Sequence, residues 1–410
     1  MFVQMHMLQS MPPGNLNRDD TGQPKKCLFG GTTRGRISSQ CLKRNIRLSP
    51  LFQEAFVGAV ANRTKYLPRL VADALMSRIP AEEVEGVKTG IAGQFRKKLK
   101  SESDAEEDGD IGETSGADIT PQLVFFPPPF AAKVADLVVD LKKRQPKAYA
   151  KLIGRKEKRS EDEDKEADKA IAKFKAEAFQ AKESMSVDVG LFGRMTTSDL
   201  IVDVEAACQV AHAISTHESL IEGDYFTAMD DRQHEFIKLQ TQSGGAAFLG
   251  SGDTVTFFNS AVYYKYLNVD TDALAKLLGA AGLVHARHAA AVLVQAAAFA
   301  TPTGKQNSFA AHSVPELILV EVSKTKQPIS YANAFLQAVQ GQDLMRESAQ
   351  ALSNYCSSIA VAYAPPDIQR FLLTVGSAAG ATFPLEATPV KTLRALADAV
   401  EKAAAPVGAV

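Results

Sequence analysis

Between Thr21 and Arg47 the chain carries Lys25, Lys26, Arg34, Arg36, Lys43, Arg44 and Arg47 and no acidic residue, although its formal net charge over 410 residues is -1. Cation concentrated locally in a nearly neutral chain calls for a polyanion held in a confined groove. The spacing sharpens the point. Ser38-Ser39 is a helix N-cap signal, and Gln40, Lys43, Arg44 and Arg47 then fall at i, i+3, i+4 and i+7 on one helix face. Leu42 and Ile46 take another face, so the helix packs on a core while presenting cations and an amide outward. The preceding loop adds two lysines, two arginines and the pair Gly30-Gly31, which lets backbone N–H groups approach a ligand. This array suits a run of phosphates; the competing reading of any basic helix face is solvated surface.

A second candidate is SVDVGLFGRMTTSD, residues 186–199. Val187, Val189 and Leu191 alternate as in a strand, and Gly190 and Gly193 bracket a turn that presents Arg194, Met195, Thr196 and Thr197. A methionine beside an arginine and two hydroxyls can press on a nucleobase while its neighbours hold phosphate. Equally, it can be a core methionine above a capped turn. His212 and His217, five apart in an expected helix, lie roughly 140° apart and cannot share a metal. His285 and His288 can share a face, but no carboxylate pair flanks them. Phosphate-loop, dinucleotide and nucleophile-elbow motifs are absent from the sequence. Asp19 and Asp20 adjoin Arg18 and the basic loop, where a carboxylate either assists cleavage of an RNA backbone or orders the loop.

The elements that position these residues follow from patterning. A length of 410 residues accommodates two or three domains, or one with large insertions, and 45% hydrophobic with 23% charged residues is a soluble globular balance. Cys27, Cys41, Cys208 and Cys356 have no paired spacing, which points to reduced thiols rather than disulfides or zinc. The segment MFVQMHMLQSM has no charged leader region and no stretch reaches a membrane span, so the expected location is the cytoplasm, away from membrane. Phe2–Leu8 reads as a strand ending in a turn at Pro12-Pro13-Gly14, and residues 51–100 read as helical. Residues 101–118 are acidic and nearly free of apolar side chains, as in a flexible loop. QLVFFPPPF is a strand stopped by prolines before a helix near Ala131, and residues 154–184 form a charged helix with a stripe of Ile171, Phe174 and Ala178.

VEAACQVAHAISTH is expected as an alanine-rich helix, and residues 218–258 as a long hairpin with a Gly/Ser-rich middle. Strand VTFFNSAVYYKYLNV, a helix over 272–300, a polar loop with Lys305, strand ELILVEV, helix ISYANAFLQAV and a mostly helical stretch over 343–410 complete the chain. That alternation suggests an α+β sandwich of ferredoxin-like type.

The segments NLNRDD, FGG, RISSQCLKR, GRMTTS, AHAISTH, DYFTAMDD, VYYKY and GKQNSFAA, in this order, resemble the CasC family, the repeated backbone subunit of the type I-E CRISPR Cascade complex. The resemblance spans residues 1 to about 340 and is weak over 60–185 and the last 60 residues. It implies a right-hand shape. A palm of RNA-recognition-motif type would comprise residues 1–50, 186–217 and 259–345, helical fingers 51–185, a β-hairpin thumb 218–258 and a C-terminal helical segment 346–410. By resemblance, CRISPR RNA is held by Arg18, Lys25, Arg36, Ser38, Gln40, Lys43, Arg44 and Arg47, with Arg194, Met195, Thr196 and Thr197 touching the guide. Tyr225, Phe226, Thr227 and Met229 then lie where a nucleotide is flipped out. The implied partners are CRISPR RNA, target DNA, further copies of the chain and the CasA, CasB, CasD and CasE subunits, with no cofactor and no catalysis. Related type III backbone subunits cut target RNA with an aspartate, which keeps a metal-dependent ribonuclease acting through Asp19 or Asp20 as the alternative.

Overall fold

A computed structural model describes residues 1–95, 118–179, 185–196, 200–225, 255–279, 282–383 and 386–405. The protein is mixed α+β and divides into two compact units, Met1–Phe52 with Gln209–Asp272 and Arg287–Val410, and Gln53–Cys208 with Ala273–Ala286.

Among the described residues the strands are, in chain order, β1 (Phe2–Gly14), β2 (Lys26–Phe29), β3 (Thr32–Ile37), β4 (Asn62–Thr64), β5 (Val124–Phe126), β6 (Cys208–Val210), β7 (Ala213–Ser215), β8 (Glu222–Tyr225), β9 (Val255–Asp270), β10 (Leu317–Ser323), β11 (Gln369–Thr374) and β12 (Thr388–Pro389). Strands β4 and β5 pair only with each other, while the rest form one sheet ordered β12-β11-β10-β1-β9-β7-β3-β2, with β6 and β8 also on β9. Its centre, β10-β1-β9-β7, is antiparallel at every step. Alternation sets the faces. Leu8, Tyr264, Tyr266, Leu317 and Leu319 face Tyr331, Phe335 and the helix Leu344–Tyr363. Lys265 points the other way and donates to the Ala297 carbonyl of the helix Gly282–Phe299 at 3.2 Å.

Strand β1 runs on through Pro12-Pro13 instead of turning there, and its pairing to β9 shifts between Met11 and Gly14, where the prolines have no N–H for the ladder. The second unit is built on helices α3 (Leu67–Leu75), α4 (Ala81–Phe95), α5 (Phe130–Arg144), α6 (Pro146–Leu152) and α7 (Glu161–Phe179), which follow α1 (Ser39–Leu48) and α2 (Pro50–Ala55) in the chain. Ile171, Phe174 and Ala178 are buried, as the stripe on the charged helix predicts. Glu83, buried on α4, accepts from Lys142 Nζ at 2.6 Å, Tyr149 OH at 2.7 Å and Arg155 Nη2 at 3.3 Å, which ties α4 to α5 and α6. The acidic stretch 101–117 and residues 226–254 of the expected hairpin lie outside the described residues.

Several expected elements differ. Val187–Phe192 is a helix, α8, not a strand: Asp188 accepts from Ala61 N at 2.9 Å, and a Cβ on Gly190 would stand 2.9 Å from Leu274 Cδ1. Three alternating apolar residues fit either period, and the close packing decides. Residues 187–208 cluster with the second unit. VEAACQVAHAISTH holds strands β6 and β7, because pairing with β9 and β3 overrides alanine's helix propensity. The expected helix at 329–339 is one 3₁₀ turn, Ala332–Phe335, and the stretch after 343 contains β11 and β12 beside helices Leu344–Tyr363 and Leu393–Ala403. The single helix over 272–300 is two, Thr271–Leu278 and Gly282–Phe299, separated at Gly279 with φ +82°.

Candidate nucleic-acid interface

The basic residues of the first unit are organised by three anchors. Asn17 Oδ1 accepts from Ser38 N at 2.8 Å, which ties the loop after β1 to the start of α1. Lys25 N donates to Asn17 O and Arg36 N to Lys25 O, each at 2.8 Å, which lays the loop along β3. Within the loop, Asp19 Oδ1 accepts from Thr21 N at 3.0 Å, Thr21 Oγ1 at 2.8 Å and Gln23 N at 2.9 Å. The Thr21 hydroxyl first, and these backbone bonds after it, hold the Asp19 carboxyl below its usual range. Asp20 is exposed. Among the described residues no group of three or more His, Cys, Asp and Glu is placed to hold a metal ion.

Helix α1 forms where the cap signal predicts. Ser38 Oγ accepts from Cys41 N at 3.4 Å, and Leu42, Asn45 and Ile46 are buried. Gln40 and Arg44 are exposed and Lys43 and Arg47 half-buried, while Ser38 is itself buried under its cap role. Lys25 is the hub of the charge. Burial raises the Cys41 thiol, against which Lys25 and Arg44 both act; partial burial, then Arg36 and Lys25, hold His212 below the ordinary histidine range. Lys25, Arg36, Arg44 and His212 therefore share one neighbourhood. Among the described residues no carboxylate forms an ion pair with Arg18, Lys25, Lys26, Arg36, Lys43 or Arg44.

Two residues of the basic stretch do other work. Arg34 is fully buried and donates to Thr32 Oγ1 at 2.8 Å and to the carbonyls of Ser215, Thr216 and Phe335 at 3.0, 2.7 and 2.9 Å. It is an internal clamp, not a surface cation. Gly30 and Gly31, with φ +60° and +79°, form the two-residue turn of the β2–β3 hairpin, and a Cβ on Gly30 would collide with Leu336 O at 1.6 Å. That turn, rather than ligand approach, explains the pair.

In the second unit Met195 is 87% exposed. Arg194, in contrast, is tied down: Nε and Nη2 donate to Val202 O at 3.1 and 2.8 Å and Nη1 to Phe125 O at 3.2 Å, so its guanidinium braces the turn. Thr196 N donates to Asp203 Oδ1 at 2.7 Å, and Thr197 lies outside the described residues. Tyr225, 56% exposed, ends β8 opposite Val255, while Phe226, Thr227 and Met229 are outside the described residues. His212 and His217 lie outside any helix. Arg36 Nη1 meets His212 Nδ1 at 2.9 Å, and His217 Nε2 accepts from Val262 N at 3.1 Å. His212 is the member of the basic neighbourhood that sequence reasoning set aside; its place next to Arg36 is visible only once AHAIS pairs as a strand.

The CT1975-like protein family, Cas_CT1975, matches residues 3–401. Two solved structures are similar across nearly the whole chain. A chain of a "CRISPR RNA-guided surveillance complex, pre-nicking" is 29% identical with a TM-score of 0.75, covering 98% of this chain and 100% of its own. A chain of a "CRISPR RNA-guided surveillance complex" is 26% identical with a TM-score of 0.67 over the same shares. No curated protein matches the chain.

Proposed function

The chain belongs to the CT1975-like protein family, and from that premise we propose that it is a CRISPR RNA-binding backbone subunit of a Cascade-type surveillance complex. The observation that carries this reading is the basic neighbourhood of Lys25, Arg36 and Arg44, with Lys43 on the same helix, held by backbone anchors and without a carboxylate ion pair among the described residues. A guide-binding subunit must hold any sequence, and cations with amide and hydroxyl groups grip phosphate and sugar without reading bases. The central strand order supports a palm of ferredoxin-like, RNA-recognition-motif type. Taking β1, β7, β9 and β10 as first to fourth, the order is fourth-first-third-second, antiparallel throughout. The helical second unit stands as the fingers and the β8–β9 hairpin as the base of the thumb.

The finer reading is a type I-E, cytoplasmic assembly in which copies of the chain line one CRISPR RNA beside CasA, CasB, CasD and CasE and present it to target DNA. Arg18, Gln40 and Arg47 extend the guide contact of the first unit, and Met195 and Thr196 supply one from the second. Replacing Lys43, Arg44 and Arg47 together with Ala is expected to weaken RNA binding equally for unrelated guides. It should also flatten the salt dependence by up to about one log-slope unit per lost phosphate contact. Measured affinities across a salt series decide this, and unchanged binding or a base-dependent loss contradicts it.

We read the subunit as non-catalytic. Asp19 serves the loop through three accepted hydrogen bonds, which supports an ordering role. A guide-loaded assembly should leave complementary RNA intact with added divalent metal. Cutting that disappears in Asp19→Ala or Asp20→Ala would establish the ribonuclease alternative instead.

A further inference from the structure

His212 is exposed just before the short strand β7, which pairs with β3. Its Nδ1 stands 2.9 Å from Arg36 Nη1. A guanidinium has donors and no acceptor, so this contact requires Nδ1 to be the unprotonated, accepting nitrogen. The single ring proton of the neutral imidazole is then on Nε2. Among the described residues Nε2 has no partner, and the buried Nε–H of Arg36 has no acceptor either. The exposed imidazole therefore offers an Nε2–H that no described group of the protein accepts. The charged groups that act on His212 are Arg36 from β3 and Lys25 from the preceding loop, both cationic.

We propose that His212 is a further guide-binding residue, fixed by Arg36 in the tautomer that offers Nε2–H to a phosphodiester oxygen of the RNA. This rests on the RNA-binding reading above. The imidazole contributes an uncharged, oriented donor among flexible cations, which sets where along the groove a phosphate sits while Lys25, Lys43 and Arg44 supply attraction. Partial burial and the two cations keep the ring neutral around pH 7, consistent with that role. A second proton must go to Nδ1, which ends the contact with Arg36 and adds a charge to the groove.

The test uses the full chain and a fluorescent single-stranded guide RNA, with anisotropy measured over a salt series. At about pH 7.5, His212→Ala should lower affinity by about three- to tenfold with an unchanged salt slope, because the lost contact is uncharged. His212→Gln, which retains an N–H donor, should recover part of the loss. Wild-type affinity in His212→Ala overturns the proposal, and so does a His212→Gln variant that recovers none of the loss. The variant lacking Lys43, Arg44 and Arg47 is assayed alongside: if it too binds normally the RNA-binding reading fails, and if it alone is impaired only the role of His212 fails.

Discussion

Lys265 is fully buried and, among the described residues, its ammonium donates to one partner, the Ala297 carbonyl at 3.2 Å; burial lowers its pKa to about 7. An amine that is easier to deprotonate in the folded than in the unfolded chain costs stability below the folded pKa. That cost disappears as pH rises from about 7 towards the unfolded value near 10.5. Lys265→Met, similar in volume and apolar, is therefore expected to stabilise the protein by about 2–4 kcal/mol near pH 7 and progressively less towards pH 10.5. Denaturant titrations of both proteins across this range test it, and a stability difference that does not change with pH contradicts it. At the same scale, charge was readable from the sequence and access was not. Lys43 and Arg44 stand on the surface face that their spacing predicts, but Arg34 is drawn into the interior by three carbonyls far along the chain. No local pattern separates these arginines, because the carbonyls arrive with β7 and the 3₁₀ turn after β10.

Helix α4 packs so closely on α6 that a Cβ on Gly90 would stand 2.3 Å from Leu152 O, while one on Gly93 meets nothing within 4 Å. Gly90→Ala should destabilise the second unit by about 1–3 kcal/mol, since crowding outweighs the gain in helix propensity. Gly93→Ala, exposed on the same helix, should stabilise it by about 0.5–1 kcal/mol. Melting curves of the two variants read the opposite signs, and equal shifts would contradict the packing. Elements with long, unambiguous periods are legible in the sequence: β9, β10 and α1 form where alternation or helical spacing places them, while β1 extends past its expected end and α7 is shorter than 154–184. Short segments are not legible. SVDVGLF and CQVAHAIS exchange their expected identities, because three or four residues fit both periods; close packing on Leu274 decides the first and pairing to β9 the second.

Across the whole molecule the chain leaves the first unit after Phe52 and leaves it again after Asp272, returning at Gln209 and Arg287. Composition marks the larger excursion through its charged and acidic segments, but the return at Cys208 depends on where α8 packs and is not marked by any turn signal. The first unit alone assembles the basic neighbourhood from residues as far apart in sequence as Lys25 and His212, so this neighbourhood exists only in the folded protein. The most direct test of the central claim is electron microscopy of the full chain co-expressed with a CRISPR RNA and its neighbouring subunits. The account predicts successive copies of this chain along one RNA, with backbone density against Lys25, Lys43 and Arg44. A particle without bound RNA, or RNA running over a face that excludes these residues, would contradict it.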